Sequence, residues 1–104
     1  IIKGKTVKFT GDLKIPQIGW NKVSKTKTAR KNPLLKGIKD QRYFYFVNSY
    51  FVRLNNKSNE IGTTNYGINF TSVVNKDNFY GVQFHPEKSG EAGLKLLNNF
   101  YELC

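Results

Sequence analysis

Residues 42–54 place Tyr43, Phe44, Tyr45, Phe46, Val47, Tyr50, Phe51 and Val52 in one stretch. No other feature limits the fold as strongly. Aromatic and β-branched side chains suit a pleated, half-buried surface and lose rotamer freedom in a helix, so the stretch predicts a strand. Alternation sends Tyr43, Tyr45, Val47, Ser49 and Phe51 to one face, and Phe44, Phe46, Asn48, Tyr50 and Val52 to the other. Both faces are largely apolar. The expectation is a strand covered on both sides, or central in a layered sheet.

The rest of the chain reads as further strands and then one helix. Residues 7–10 predict a short strand closed by Gly11-Asp12. Extended chain restarts at Lys14-Ile15-Pro16, because the residue before proline avoids the helical region. Residues 22–32 are polar and basic and read as a loop. In Asn32-Pro33-Leu34-Leu35-Lys36-Gly37, Asn32 can cap, Pro33 suits a first helical position and Gly37 can end the turn. After a polar turn at 55–59, residues 61–64, 68–74 and 79–84 alternate as an antiparallel meander. The period then changes: Ala92, Leu96, Leu97, Phe100 and Leu103 fall at helical spacing, with Ser89 placed to cap and Glu91 in the first turn.

One domain is all that 104 residues allow. Hydrophobic residues make up 38%, which is globular and not disordered. No apolar run approaches the ~20 residues needed to span a bilayer. No basic segment followed by an apolar stretch opens the chain, so a secretory signal is not expected. The single cysteine, Cys104, rules out an intrachain disulfide and fits a reducing cytoplasm. The sequence contains no Met, so Ile1 is not expected to be a natural start, a first hint of a piece of something longer.

The net charge of +10 is lopsided. Residues 1–57 hold fourteen Lys and Arg against Asp12 and Asp40, a surplus of +12; residues 58–104 carry −2. The densest run is Lys22, Lys25, Lys27, Arg30, Lys31, Lys36 and Lys39. A basic run can serve nucleic acid, an anionic substrate or an acidic partner, and more often it is simply a solvated face.

His85 is the only histidine. It lies in Gly81-Val82-Gln83-Phe84-His85-Pro86-Glu87-Lys88-Ser89, where an apolar strand meets a helix start. A histidine can take a proton from a nucleophile near neutral pH, and it needs a carboxylate to fix its tautomer. Glu87 is two residues away, across a stiff Pro86. The blander reading is a surface turn with Glu87 paired to Lys88 or to the next helix. No metal-ligand cluster or cofactor motif stands beside this pair.

His85-Pro86-Glu87 after Gly81-Val82-Gln83-Phe84 resembles the His-x-Glu signature of class I, triad-type glutamine amidotransferases. The longer string 81–90 with Leu96-Leu97-Asn98-Asn99-Phe100 is similar to the glutaminase-subunit family of imidazole glycerol phosphate synthases. Three more segments agree. Ile15-Pro16-Gln17-Ile18-Gly19-Trp20-Asn21 resembles that family's Pro-His-x-Gly-Trp-Asn loop. Residues 43–50 resemble its Tyr-Phe-Val-His-Ser-Tyr strand. Thr64-Asn65-Tyr66-Gly67 with Phe70 resembles the strand pair before the His-x-Glu turn. The matches run in family order over nearly the whole chain.

The resemblance implies an α/β architecture: the C-terminal half of a flavodoxin-like amidotransferase domain, strand-rich with one terminal helix. Residues 1–104 would then be the later part of a single domain whose nucleophile-bearing first half is absent. It implies hydrolysis of glutamine to glutamate and ammonia without a cofactor. The ammonia passes to a cyclase subunit for imidazole glycerol phosphate formation in histidine biosynthesis. His85 takes the position of the base and Glu87 that of its orienter. Ser49 and Tyr50 match the glutamine-holding segment. Gly19, Trp20 and Asn21, with Lys88, match the face toward the cyclase.

The sequence departs from that pattern in three places. The Gly-x-Cys-x-Gly nucleophile elbow is absent, and Cys104, without flanking glycines, is a poor substitute. Gln17 and Asn48 stand where the family has histidines. These two replacements leave room for a paralogous subunit that supplies ammonia to amidate a surface-glycan sugar. A reading of another class, a basic module binding single-stranded nucleic acid on the aromatics of 43–46, does not explain the ordered matches. Neither nucleic acid nor membrane is therefore expected as a partner.

Overall fold

A computed structural model describes residues 4–9 and 15–104. Among these, seven strands precede one α-helix: β1 (Gly4–Lys8), β2 (Gln17–Lys25), β3 (Arg42–Asn48), β4 (Tyr50–Leu54), β5 (Glu60–Asn65), β6 (Asn69–Lys76), β7 (Phe79–Val82) and α1 (Gly90–Leu103). The order across the sheet is β1-β4-β6-β5-β2-β3, with β7 also on β6. Every strand pair described is antiparallel. This strand-rich sheet with a single C-terminal helix agrees with the expected architecture, and the β5-β6-β7 meander and helix fall where periodicity puts them.

Four expectations need correction. The strand read at 7–10 begins earlier, at Gly4, and Phe9 already lies beyond it as a buried core residue; Thr10 and the Gly11-Asp12 turn fall outside the described residues. The loop read at 22–32 is strand as far as Lys25 and a 3-10 turn from Lys27 to Lys31. Alternation is hard to see there because Val23, 3% exposed, is the only apolar side chain of the strand segment 22–25.

The third correction concerns 42–54, which is two strands. The chain bends at Ser49, and Asn48 turns its side-chain amide back onto the Tyr50 carbonyl at 3.1 Å, a local bond that competes with the ladder. The break shifts the buried phase from Phe44 and Phe46 to Phe51. Nor is β3 central: it ends the strand order, and Tyr43 and Val47 remain 50% and 39% exposed. The fourth concerns α1. Its buried side is Ala92, Gly93, Leu96 and Asn99, while Leu97, Phe100 and Leu103 face out. Asn99 wins the inward position because its amide donates to the carbonyls of Leu34 (2.9 Å) and Lys36 (2.7 Å). It ties the helix to the 3-10 turn Pro33–Leu35, which Asn32 caps as expected.

Phenylalanines carry the core. Phe9, Phe51 and Phe70 meet with ring centroids 5.1–5.7 Å apart. Phe46 links Phe70 to Phe84, and Phe44 stacks on Phe84 at 4.2 Å. Such pairs add about 0.5–1.5 kcal/mol each beyond their buried area. The chain of rings ends at Phe84, one residue before His85. With Phe84 locked inward, His85 emerges from the core at a fixed place.

Candidate functional site

The site is built at the end of the meander. β7 stops at Val82, Gln83 donates its N–H to Ser72 O at 2.9 Å, and Phe84 enters the core. His85 is extended (φ −101°, ψ 99°) and leads into the 3-10 turn Pro86–Lys88. Pro86 loses nothing there, since a first-turn N–H has no partner within the turn. The turn swings Glu87 back toward the imidazole, and Glu87 Oε2 lies 3.2 Å from His85 Nδ1. The two side chains are 42% and 58% exposed.

That geometry has a chemical consequence. A carboxylate facing Nδ1 holds the proton there and leaves Nε2 with its lone pair free to accept another. In that tautomer Glu87 accepts from Nδ1–H, and Nε2 is left able to accept a proton. A hollow of about 270 Å3, lined by Val52, Leu54, Thr71, Val74, Phe79 and Val82 among others, does not include His85 or Glu87. Among the described residues no cluster of three or more His, Cys, Asp or Glu could hold a metal, and no helix is long and apolar enough to cross a membrane.

The remaining candidates are distributed around β3. Ser49 and Tyr50 sit at the β3–β4 break, four and five positions from Tyr45, or about 13–17 Å along an extended chain. Their carbonyls are engaged within the chain, Ser49 O by Phe9 N–H at 3.1 Å and Tyr50 O by the Asn48 amide. Gly19, Trp20 and Asn21 lie in β2, not in a loop. Gly19 has φ +130° opposite Phe46, a conformation open to glycine and costly for other residues. Trp20 is 54% exposed and meets Tyr45 edge-to-face at 5.7 Å. Asn21 spends its amide inside the chain, on Gln17 Oε1 and on Asn65 O, both at 2.8 Å. Lys88 is exposed on the turn after Glu87.

The outer face of the β2–β3 hairpin brings Ile18 opposite Val47, Trp20 opposite Tyr45 and Lys22 opposite Tyr43. Ile18, Trp20, Tyr43 and Val47 are all exposed, and the Lys22 ammonium stands 5.8 Å from the centre of the Tyr43 ring. Sequence alternation had already grouped Tyr43, Tyr45 and Val47; the addition of Ile18 needed the cross-strand register. Phe44 and Phe46 are fully buried, which removes half of the aromatic platform a nucleic-acid reading requires. Lys22, Lys27, Lys36 and Lys39 are solvated.

Gln17 and Asn48, the two departures from the histidine pattern, touch each other. They are register partners, and Gln17 Nε2 donates to Asn48 Oδ1 at 2.8 Å. Gln17 is 3% exposed, so this amide pair is part of the packed structure beneath Asn21. Cys104 is free and exposed. Beside it is Tyr80, whose phenol is pushed above the ordinary tyrosine value by burial first and by its hydrogen bond with Cys104 second.

Known proteins give this arrangement a context. Residues 3–104 match the family model described as glutamine amidotransferase class-I. The chain is 50% identical over 103 residues to the imidazole glycerol phosphate synthase subunit HisH 1 of Methanococcus maripaludis, covering 99% of this chain and 49% of that protein. It is 50% identical over 103 residues to the HisH subunit of Methanocaldococcus jannaschii, again over 99% of this chain and 50% of the relative. With the HisH subunit of Buchnera aphidicola it shares 48% over 104 residues, 99% of this chain and half of the other. The chain thus spans about half the length of the curated relatives it matches. It belongs to the class I glutamine amidotransferase family.

Proposed function

We propose that residues 1–104 act as the C-terminal part of one amidotransferase domain, carrying the proton-transfer half of a glutaminase site. The single observation that carries this reading is the His85 Nδ1 to Glu87 Oε2 contact at 3.2 Å, in a chain of this family. In the proposed reaction a thiol from sequence outside 1–104 attacks the side-chain amide carbon of glutamine. His85 Nε2 takes the thiol proton and then delivers it to the departing ammonia. Water, deprotonated by the same nitrogen, cleaves the thioester and releases glutamate. Glu87 holds the imidazole in orientation and stabilises its charged form. Ser49 and Tyr50 are proposed to help hold the glutamine.

Ammonia released this way would serve a cyclase subunit making imidazole glycerol phosphate, in keeping with the names of the relatives at about half identity. The proposed docking face comprises Gly19, Trp20, Asn21 and Lys88, extended by the exposed Ile18, Tyr43 and Val47. Trp and Tyr are enriched among interface hot spots, and Trp20 and Tyr43 stand exposed on neighbouring strands. The basic half of the chain would speed encounter with an acidic partner surface in a salt-dependent way.

The test uses the complete subunit with its cyclase. His85→Ala should abolish glutamate release and leave synthesis from added ammonia intact, because the second reaction bypasses the triad. Equal loss of both reactions would count against this division of labour. A parallel measurement takes the 104-residue chain alone, which should release no glutamate beyond a His85→Ala control.

A further inference from the structure

Ser89 has no side-chain bond of the capping kind its position at the start of α1 suggests. It is 2% exposed, and its hydroxyl does something else. Tyr45 N–H donates to Ser89 Oγ at 2.9 Å, and Ser89 Oγ–H donates to His85 O at 2.7 Å. His85 N–H donates to Tyr45 O at 2.9 Å. In an ordinary hydrogen-bonded pair of antiparallel residues the two would exchange both bonds directly. Here one of the two is direct and the other is relayed through a buried hydroxyl. The backbone of His85 is fastened on both sides to β3, in a ring of three bonds closed by Ser89.

The helix behind this ring is pressed against the turn. A Cβ on Gly93 would fall 1.8 Å from Pro86 O and 2.9 Å from Ser89 Cβ. No side chain fits there, so α1 approaches the His-Pro-Glu turn as closely as backbone allows. Gly93 N–H donates to Ser89 O, and Ser89 N–H to Pro86 O. The imidazole and the carboxylate are half-exposed. Their relative position has to come from the backbone beneath them.

We infer that Ser89, seated by Gly93, is a positioning residue for glutamine hydrolysis: its hydroxyl sets where the His85 backbone stands against Tyr45, and so where Nε2 points. The inference rests on the catalytic reading of His85. Displacements of an ångström in a reacting group cost on the order of 10²-fold in rate, whereas substrate held by other residues is bound as before.

The experiment compares Ser89→Ala and Ser89→Cys in the complete amidotransferase. Turnover is expressed per active site counted with an alkylating glutamine analogue. That normalisation removes any effect of a smaller folded fraction. Ser89→Ala should lower kcat on the order of 10–100-fold with KM within about twofold of the unaltered enzyme. Ser89→Cys keeps the shape and offers only a weak donor and acceptor, so it should fall between the two. If Ser89→Ala does not accumulate folded, Ser89→Cys alone decides. A kcat per labelled site within about twofold of normal in the folded variants overturns the proposal, whatever happens to the melting temperature. His85→Ala serves as the separate check. If it keeps glutaminase activity, the catalytic reading falls and the role of Ser89 with it. If it is inactive while the Ser89 variants are normal, only the positioning role is lost.

Discussion

The His85 turn and the β2–β3 rim meet at Tyr45 and are held by opposite means. In the turn, the backbone is tied down by Ser89 and Tyr45 while the chemically useful side chains stand half in solvent. At the rim, the backbone is an ordinary antiparallel ladder and the exposed aromatic side chains are the distinctive feature. On the proposed function, one region depends on where two atoms lie, and the other on how much apolar surface it offers. Substitutions should therefore act on different quantities in the two places: rate at the turn, affinity at the rim.

The largest effect belongs to the turn. His85→Ala in the complete enzyme should lower kcat for glutamine on the order of 10³-fold or more, since it removes the proposed base. Glu87→Gln should cost less, because it disturbs orientation and charge and leaves the base. Measured kcat values in the reverse order would break the assignment of roles.

Stability separates the two faces of β3 more sharply. Phe44→Ala removes a fully buried ring stacked on Phe84 and should cost about 3–5 kcal/mol in denaturant unfolding. Trp20→Ala should lower stability by no more than about 1.5 kcal/mol, the value of an edge-to-face contact. It should weaken cyclase binding by about 2–4 kcal/mol, a hot-spot loss. A large drop in melting temperature with unchanged affinity would move Trp20 from rim to core and remove the main support for the docking face.

The smallest effect tests the paired departures. Gln17→Ala and Asn48→Ala should be non-additive, with a coupling energy of about 0.5–1.5 kcal/mol in a double-mutant cycle of unfolding. Strict additivity would mean that the 2.8 Å amide contact contributes nothing and that the two replacements are independent.

Much of the molecule is legible in its sequence. The order of the motifs placed the chain in its family, because a family signature is a local string and survives intact in a sequence. The meander and α1 were visible because periods of two and of 3.6 residues are local as well. So was the proximity of His85 and Glu87, two residues apart across a proline. The helix face was read less well: spacing put Leu97 and Phe100 inward, and Asn99 displaced them by finding two carbonyls more than sixty positions away in sequence.

What only the tertiary structure decided is long-range pairing. Residues 42–54 look apolar on both faces, and nothing local says that Phe44 and Phe46 enter the core while Tyr43 and Val47 form a rim. That choice follows from the register of β3 on β2 and from Phe70 and Phe84, which meet Phe44 and Phe46 on the inner face. Gln17 and Asn48 are separated by 31 positions, and Tyr45 and Ser89 by 44. Hydrogen bonds across such distances depend on which strands become neighbours and in what register, and a one-residue slip would invert every face. The sequence by itself determined the family, the closing meander with the helix that follows it, and the identity of the candidate acid-base pair. The packed fold decided which side chains those groups lean on, because a polar group drawn into the interior must find its partner wherever the topology has brought one.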